Sequence, residues 1–202
     1  MTTRRALLAW AAAAPCLTWL TACEQGQPTA PAGGFKAVDI TGGDYGRNLS
    51  LPDTEGKLRS LAEFKGKAVV VFFGYTQCPD VCPTTLTELA QVRQLLGADG
   101  AKLQPLFVTI DPERDTPELL KNYMANFGPD FIALRGTVEE TQAAAKSFKA
   151  FFSKVKGKDP VNYTMDHTAG SYVFDTQGRI RLFVRYGQPV EAWVSDLKQL
   201  MA

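Results

Sequence analysis

The chain has 202 residues, 45% of them hydrophobic and 21% charged, which suits one domain of ordinary size with appendages. Its formal charge is +1 at pH 7. So balanced a composition offers no basic face for nucleic acid, and that class of partner is excluded.

Residues 1–22 read as an export signal rather than as part of a fold. Arg4 and Arg5 form a basic start, and Ala6 to Leu20 form an apolar stretch, broken by Pro15, too short to span a bilayer. Leu20-Thr21-Ala22-Cys23 resembles a bacterial lipobox, in which Cys23 is lipidated and becomes the new N-terminus. A soluble secreted protein cut near Ala22 is the alternative. The paired arginines fit a twin-arginine signal only in part, so the export route stays open. Residues 23–34, rich in Pro and Gly, read as a flexible tether behind the lipidated Cys23. The folded domain is expected over residues 35–202, held at a bacterial cell membrane by its lipid and facing the periplasm or the cell exterior.

Ala37 to Ile40 and Leu49 to Leu51 are strand candidates, and Asp53-Thr54-Glu55-Gly56 supplies a turn before Leu58-Arg59-Ser60, giving an opening hairpin. Ser60-Leu61-Ala62-Glu63 has capping-box spacing and predicts one helical turn. Ala68 to Phe73 is an unbroken β-branched and aromatic run, the mark of a strand buried on both faces. Leu86, Leu89, Val92 and Leu96 recur at helical spacing up to Gly97. Leu103 to Ile110 is a second buried strand. Thr116-Pro117 opens a helix with Leu119, Leu120, Tyr123, Met124 and Phe127 on its apolar side. Phe131 to Leu134 is a short strand, and Thr137 with Glu140 caps a helix through Phe148. Phe151 to Met165, with Lys154, Lys156, Lys158 and Pro160, is poorly periodic and reads as a long loop or irregular hairpin. Ser171 to Phe174 and Arg179 to Tyr186 flank a tight turn, and Pro189 opens a last helix with Val190, Trp193, Val194, Leu197 and Leu200 inward. Alternating strands and helices that end in a hairpin and a helix predict an α/β thioredoxin-like mixed sheet flanked by helices, with an N-terminal β-hairpin and one inserted helix and loop.

The chain carries four cysteines and one histidine. Cys16 leaves with the signal and lipid caps Cys23, so the domain keeps Cys78, Cys82 and His167. The two cysteines lie in Gly74-Tyr75-Thr76-Gln77-Cys78-Pro79-Asp80-Val81-Cys82-Pro83, between the central strand and its helix, where open α/β sheets place their sites. Cys82 falls at the helix start, where free N–H groups and the helix dipole favour a thiolate. Val81 adds a third intervening residue to a redox Cys-x-x-Cys, a longer reach that suits a metal between two sulfurs and still permits a disulfide. Two thiolates and an imidazole suit Cu(I) and Cu(II). Zinc would require a fourth ligand, for which Asp80 and Asp166 are the candidates. His167 leads into the hairpin strand expected beside the cysteine-bearing one, so the two loops converge. The plainer readings are a surface or core histidine and a simple disulfide.

Cys78-Pro79-Asp80-Val81-Cys82-Pro83, Thr109-Ile110-Asp111-Pro112-Glu113-Arg114-Asp115-Thr116-Pro117 and Asp166-His167 together resemble the Sco/SenC family over roughly Phe35 to the C-terminus. The resemblance implies a thioredoxin fold and binding of Cu(I) and Cu(II) through Cys78, Cys82 and His167. It also implies help in assembling the binuclear copper centre of cytochrome c oxidase. The partners implied are that enzyme's copper-bearing subunit or another cuproprotein, together with a periplasmic copper donor. A thiol–disulfide oxidoreductase is the rival, with Cys78 and Cys82 as its redox-active pair. Asp111, Glu113, Arg114 and Asp115 read as a partner-facing acidic patch or as a supporting layer near the copper loop, or, more plainly, Asp111 and Thr116 cap a turn and a helix. Asp166 is a candidate for orienting the histidine loop, and the three lysines read as a solvated loop.

Overall fold

The computed structural model describes residues 34–157 and 162–202. Cys23, the export segment and the tether up to residue 33 lie outside them, as do Lys158 and Pro160. Among the described residues there are ten strands. They are β1 (Val38–Asp39), β2 (Ser50–Pro52), β3 (Leu58–Ser60), β4 (Ala68–Gly74), β5 (Leu103–Thr109), β6 (Ile132–Leu134), β7 (Phe152–Lys156), β8 (Tyr163–His167), β9 (Gly170–Phe174) and β10 (Ile180–Arg185). Four α-helices accompany them: α1 (Val81–Leu95), α2 (Pro117–Ala125), α3 (Val138–Ser147) and α4 (Val190–Met201).

Six strands form the main sheet in the order β1-β10-β9-β4-β5-β6. All seven residues of β4 are buried, as are all seven of β5, and the two pair in parallel along their full length. Such apolar runs, without a polar face, require cover on both sides. The crossovers from β4 through α1 to β5 and through α2 to β6 run in one direction, which places both helices on one face of the sheet. Phe107 there meets Tyr123 of α2 at a centroid distance of 6.0 Å. On the other face Phe148, at the end of α3, packs edge-on against Phe73, Tyr172 and Phe174. β9 returns antiparallel beside β4, and β10 and β1 continue antiparallel to the edge. This is the thioredoxin-like mixed sheet that the sequence predicts.

Local chemistry sets the helix ends. Thr116 Oγ1 accepts the Leu119 amide at 3.2 Å, with Pro117 in the first turn. Thr137 and Glu140 form a complete capping box. Gly97, with φ +60°, lies just past the end of α1, in a conformation other residues rarely adopt.

Four expectations change. Ser60 caps nothing: residues Leu61–Phe64 form a single 3-10 turn, and Glu63 is instead held by Lys57 and Arg59. The strand at Val38–Asp39 joins the main sheet, while the hairpin of β2 and β3 stands as a separate two-stranded sheet. Leu119 is exposed, because α2 turns only Leu120 and Met124 fully inward. Of the two readings of the stretch after Phe151 the hairpin holds and the long loop does not: β7 and β8 pair in continuous antiparallel register, and His167 ends a strand rather than lying in a loop.

Candidate metal centre

Gly74 ends β4, its carbonyl accepts the Ile110 amide at 2.8 Å, and the chain then turns through Cys78 into α1. Cys78 is half-buried; Cys82, in the first turn of α1, is fully buried. A Cβ at Gly74 would stand 2.7 Å from Cys82 Sγ and 2.8 Å from Phe107 Cε2, so only glycine leaves that sulfur its place. The Cys82 amide donates to Cys78 Sγ at 3.4 Å, which folds the loop back over the helix start.

His167 arrives from the other side. β9 neighbours β4, so the chain entering β9 stands above the cysteine loop. His167 pairs with Phe152 in the β7–β8 register, and its ring packs edge-on near Phe72 and Tyr75. Nε2 lies 3.6 Å from Cys82 Sγ, and Nδ1 lies 3.1 Å from the carbonyl oxygen of Thr168. A carbonyl only accepts, so Nδ1 donates to it, and Nε2 is the ring atom turned toward the sulfurs. One ligating atom from each of Cys78, Cys82 and His167 falls within 4.8 Å of the others, and they form the one such cluster among the described residues.

The sulfurs are not equivalent. Hydrogen bonding from Cys82 brings the Cys78 thiol down to about 4; burial opposes this, and His167 and the Asp80 and Cys82 amides assist. The Cys82 thiol is pushed up, first by its bond to Cys78, then by burial and by the charge on Cys78. The pair gives up one proton readily and holds the second, so the thiolate sits on Cys78 rather than on Cys82. The bond to Cys78 and burial together outweigh the helix terminus that favours charge on Cys82.

The acidic motif after β5 is structural. Asp115 is fully buried; it accepts the Thr76 amide at 3.2 Å and the hydroxyls of Thr76 and Thr109 at 2.5 Å each. It thereby ties the β5 loop to the segment before Cys78. Asp111 is buried and accepts from Arg114 and from the Tyr163 hydroxyl at 2.7 Å. Neither zinc candidate joins the cluster: Asp80 is exposed and bonds Thr84 Oγ1 at 3.3 Å, and Asp166 is exposed on β8. Asp166 has its side chain in solvent rather than on the histidine segment. The sequence does not single out Tyr75, whose hydroxyl accepts the Met165 amide at 3.2 Å and bridges the cysteine and histidine segments. Its position directly after the strand glycine, one turn ahead of Cys78, is the available signal.

Residues 38–202 match the family model described as SCO1/SenC. A SCO2-like protein of Rickettsia felis is 37% identical over 139 residues, 68% of this chain and 66% of that protein. The match thus spans just under two thirds of that relative's length. Bradyrhizobium japonicum ScoI, solved with copper bound, is 40% identical with a TM-score of 0.70, covering 77% of this chain and 99% of that one. Apo Sco1 from Thermus thermophilus is 34% identical with a TM-score of 0.73, covering 82% of this chain and 96% of that one. The matched span contains both cysteines, the histidine and every strand of the main sheet, and the chain belongs to the SCO1/SenC family.

Proposed function

We propose that Cys78, Cys82 and His167 hold copper, and that the protein is a copper metallochaperone that helps assemble the binuclear copper centre of cytochrome c oxidase. The observation that carries this reading is the convergence of two sulfurs and one imidazole nitrogen within 4.8 Å. Two soft sulfurs suit Cu(I), and the imidazole makes the same site acceptable to Cu(II). A set of three protein ligands falls short of a closed structural zinc site. The copper-bound relative from Bradyrhizobium japonicum supports the same choice of metal.

Copper here is cargo. Cys78 is the half-buried sulfur beside a fully buried Cys82 and the readily deprotonated one, so it is the natural point at which a recipient's ligand enters. The recipient is the copper-bearing subunit of the oxidase or another cuproprotein, and a periplasmic donor loads the site. His167→Ala is expected to weaken Cu(II) binding far more than Cu(I) binding, as read by competition titration of each valence. Equal loss of both would count against these ligand roles.

One observation keeps a second reading alive. A half-exposed, acidic Cys78 beside a buried Cys82 is also the arrangement of an attacking and a resolving thiol in a thiol–disulfide oxidoreductase. Full reductase activity in His167→Ala, with no copper phenotype, would favour it.

Residues 1–22 serve in this reading as a lipoprotein signal. Lipidated Cys23 and the tether to residue 34 hold the domain at the outer face of a bacterial cell membrane. No helix among the described residues is long and apolar enough to cross a membrane. Labelled fatty acid is expected to enter the wild-type protein and not Cys23→Ser; equal labelling of the two would remove the anchor.

A further inference from the structure

We infer that Arg114 is a positioning residue that latches the β7–β8 hairpin, and with it His167, over the two cysteines. The inference rests on the three-ligand reading above and adds a residue to it. The hairpin is a two-stranded sheet outside the main one. Three of the five residues of β7 are exposed, and Met165 is the only fully buried residue of β8. A cavity of about 350 Å³ lies behind it, lined by Glu113, Thr141, Phe152, Lys154 and Met165 among others. The apolar anchor is narrow, Met165 in the core and the His167 ring against Phe72 and Tyr75, and polar contacts hold the rest of the hairpin.

Those contacts converge on the loop after β5. Arg114 Nη1 donates to the Tyr163 carbonyl at 2.9 Å, and the guanidinium lies over the Tyr163 ring at 3.5 Å. Nε pairs with buried Asp111, which also accepts the Tyr163 hydroxyl. The same Nη1 donates to Gln77 Oε1 at 3.1 Å, one residue before Cys78. One side chain therefore joins the strand that ends in His167 to the segment that carries the first cysteine. Lys154 adds an ion pair to Glu113. The loop is fixed from its far side by Arg135, which donates to the carbonyls of Asp115 at 2.8 Å and Pro112 at 2.9 Å. Only a planar fork fills this role; a lysine keeps the charge near Asp111 but cannot serve Tyr163 and Gln77 together.

The consequence is selective. The cysteines reach one another through their own loop, so Cu(I) held by two thiolates does not need the latch. Cu(II) needs the imidazole, and the imidazole needs the hairpin in place.

The test compares wild type with Arg114→Met, Arg114→Lys and Tyr163→Phe in the full-length, reduced protein. In the copper-free state, amide hydrogen exchange of β8 is expected to speed up in Arg114→Met while β4 and β5 stay protected. Cu(II) affinity is expected to fall about tenfold with Cu(I) affinity kept within about twofold, the scale of losing a residue that orients a metal ligand. Arg114→Lys is expected to recover the melting temperature without recovering Cu(II) affinity. If Arg114→Met loosens the whole sheet, Tyr163→Phe decides, because it removes one hydroxyl and is expected to shift exchange and Cu(II) affinity in the same direction by less. Unchanged β8 exchange together with unchanged Cu(II) affinity overturns the latch and leaves the three-ligand site standing. A wild type that takes up no copper overturns the site instead, and the exchange data on copper-free protein then decide the latch alone.

Discussion

At Gly74 the chain gives up a side chain so that Cys82 can have its sulfur there. A methyl group at that position meets Cys82 Sγ at 2.7 Å and Phe107 Cε2 at 2.8 Å, so one of the two must shift within a buried, close-packed region. Gly74→Ala is expected to cost about 1–3 kcal/mol, the usual scale of overpacking, and to displace the sulfur. Denaturant unfolding reads the first effect, and a changed sulfur-to-Cu(II) absorption reads the second; an unchanged spectrum would mean that the sulfur is not confined as described. Much of the candidate site is legible at this scale. Cys78, Cys82 and His167 stand out because few cysteines and one histidine leave little choice. What escapes the sequence is which sulfur is charged, since the hydrogen bond between the two thiols and their unequal burial set it, and spacing reports neither. Asp115 escapes for a related reason: a carboxylate beside Thr116-Pro117 looks like a cap, and only the fold reveals that it turns inward to Thr76 and Thr109.

At the scale of elements, legibility follows the number of covered faces. β4 and β5 carry no polar side chain except Gln104 and Thr109, and such runs have one plausible state. β7 reads Phe-Ser-Lys-Val-Lys with its last three residues exposed, so it has no buried face to write a period into the sequence. α4 shows a different blind spot. Asp196, on its buried side at 1% exposure, accepts the amides of Lys36 and Ala37 at 2.8 Å each, stapling the start of the domain to its last helix. An acidic residue between Val194 and Leu197 gives no hint of that partner. Asp196→Ala strands two backbone donors and is expected to destabilise the fold by roughly 1–3 kcal/mol. Copper affinity should remain unchanged, because none of the three ligands touches α4 through Asp196. Urea midpoints with and without copper check both halves, and a specific loss of metal binding would contradict the separation of staple and site.

Across the whole molecule, buried carboxylates set the response to acid. Burial pushes Asp175 up, but the Arg179 amide and side chain, the Gln177 amide and Arg181 outweigh it and hold its pKa below the usual value. Asp53 behaves alike: burial opposes, and Arg59 with the Glu55 and Lys57 amides prevails. A carboxylate whose folded pKa is depressed contributes stability that is fully present above the unfolded value of about 4 and is lost as pH falls through the folded one. Asp115 works in the opposite sense, since burial raises its pKa. The depressed Cys78 thiol already costs stability as pH falls from 7, because the unfolded thiol is protonated there and the folded one is not. In a Cys78→Ser background the urea midpoint is therefore expected to hold from pH 7 to about 5 and to fall below about pH 4, with Asp175→Asn in that background less stable at pH 7 and less sensitive to acid. An equal acid response in that variant would mean that Asp175 is not a source of it.

The most direct test of the copper site is a titration of the reduced protein with each copper valence, comparing wild type with Cys78→Ser and His167→Ala. The account predicts one tightly bound copper per chain and sulfur-to-Cu(II) charge-transfer absorption that each substitution removes or alters. It also predicts that His167→Ala keeps most of its hold on Cu(I). No tight copper binding, with a readily cycling Cys78–Cys82 disulfide in its place, would contradict it.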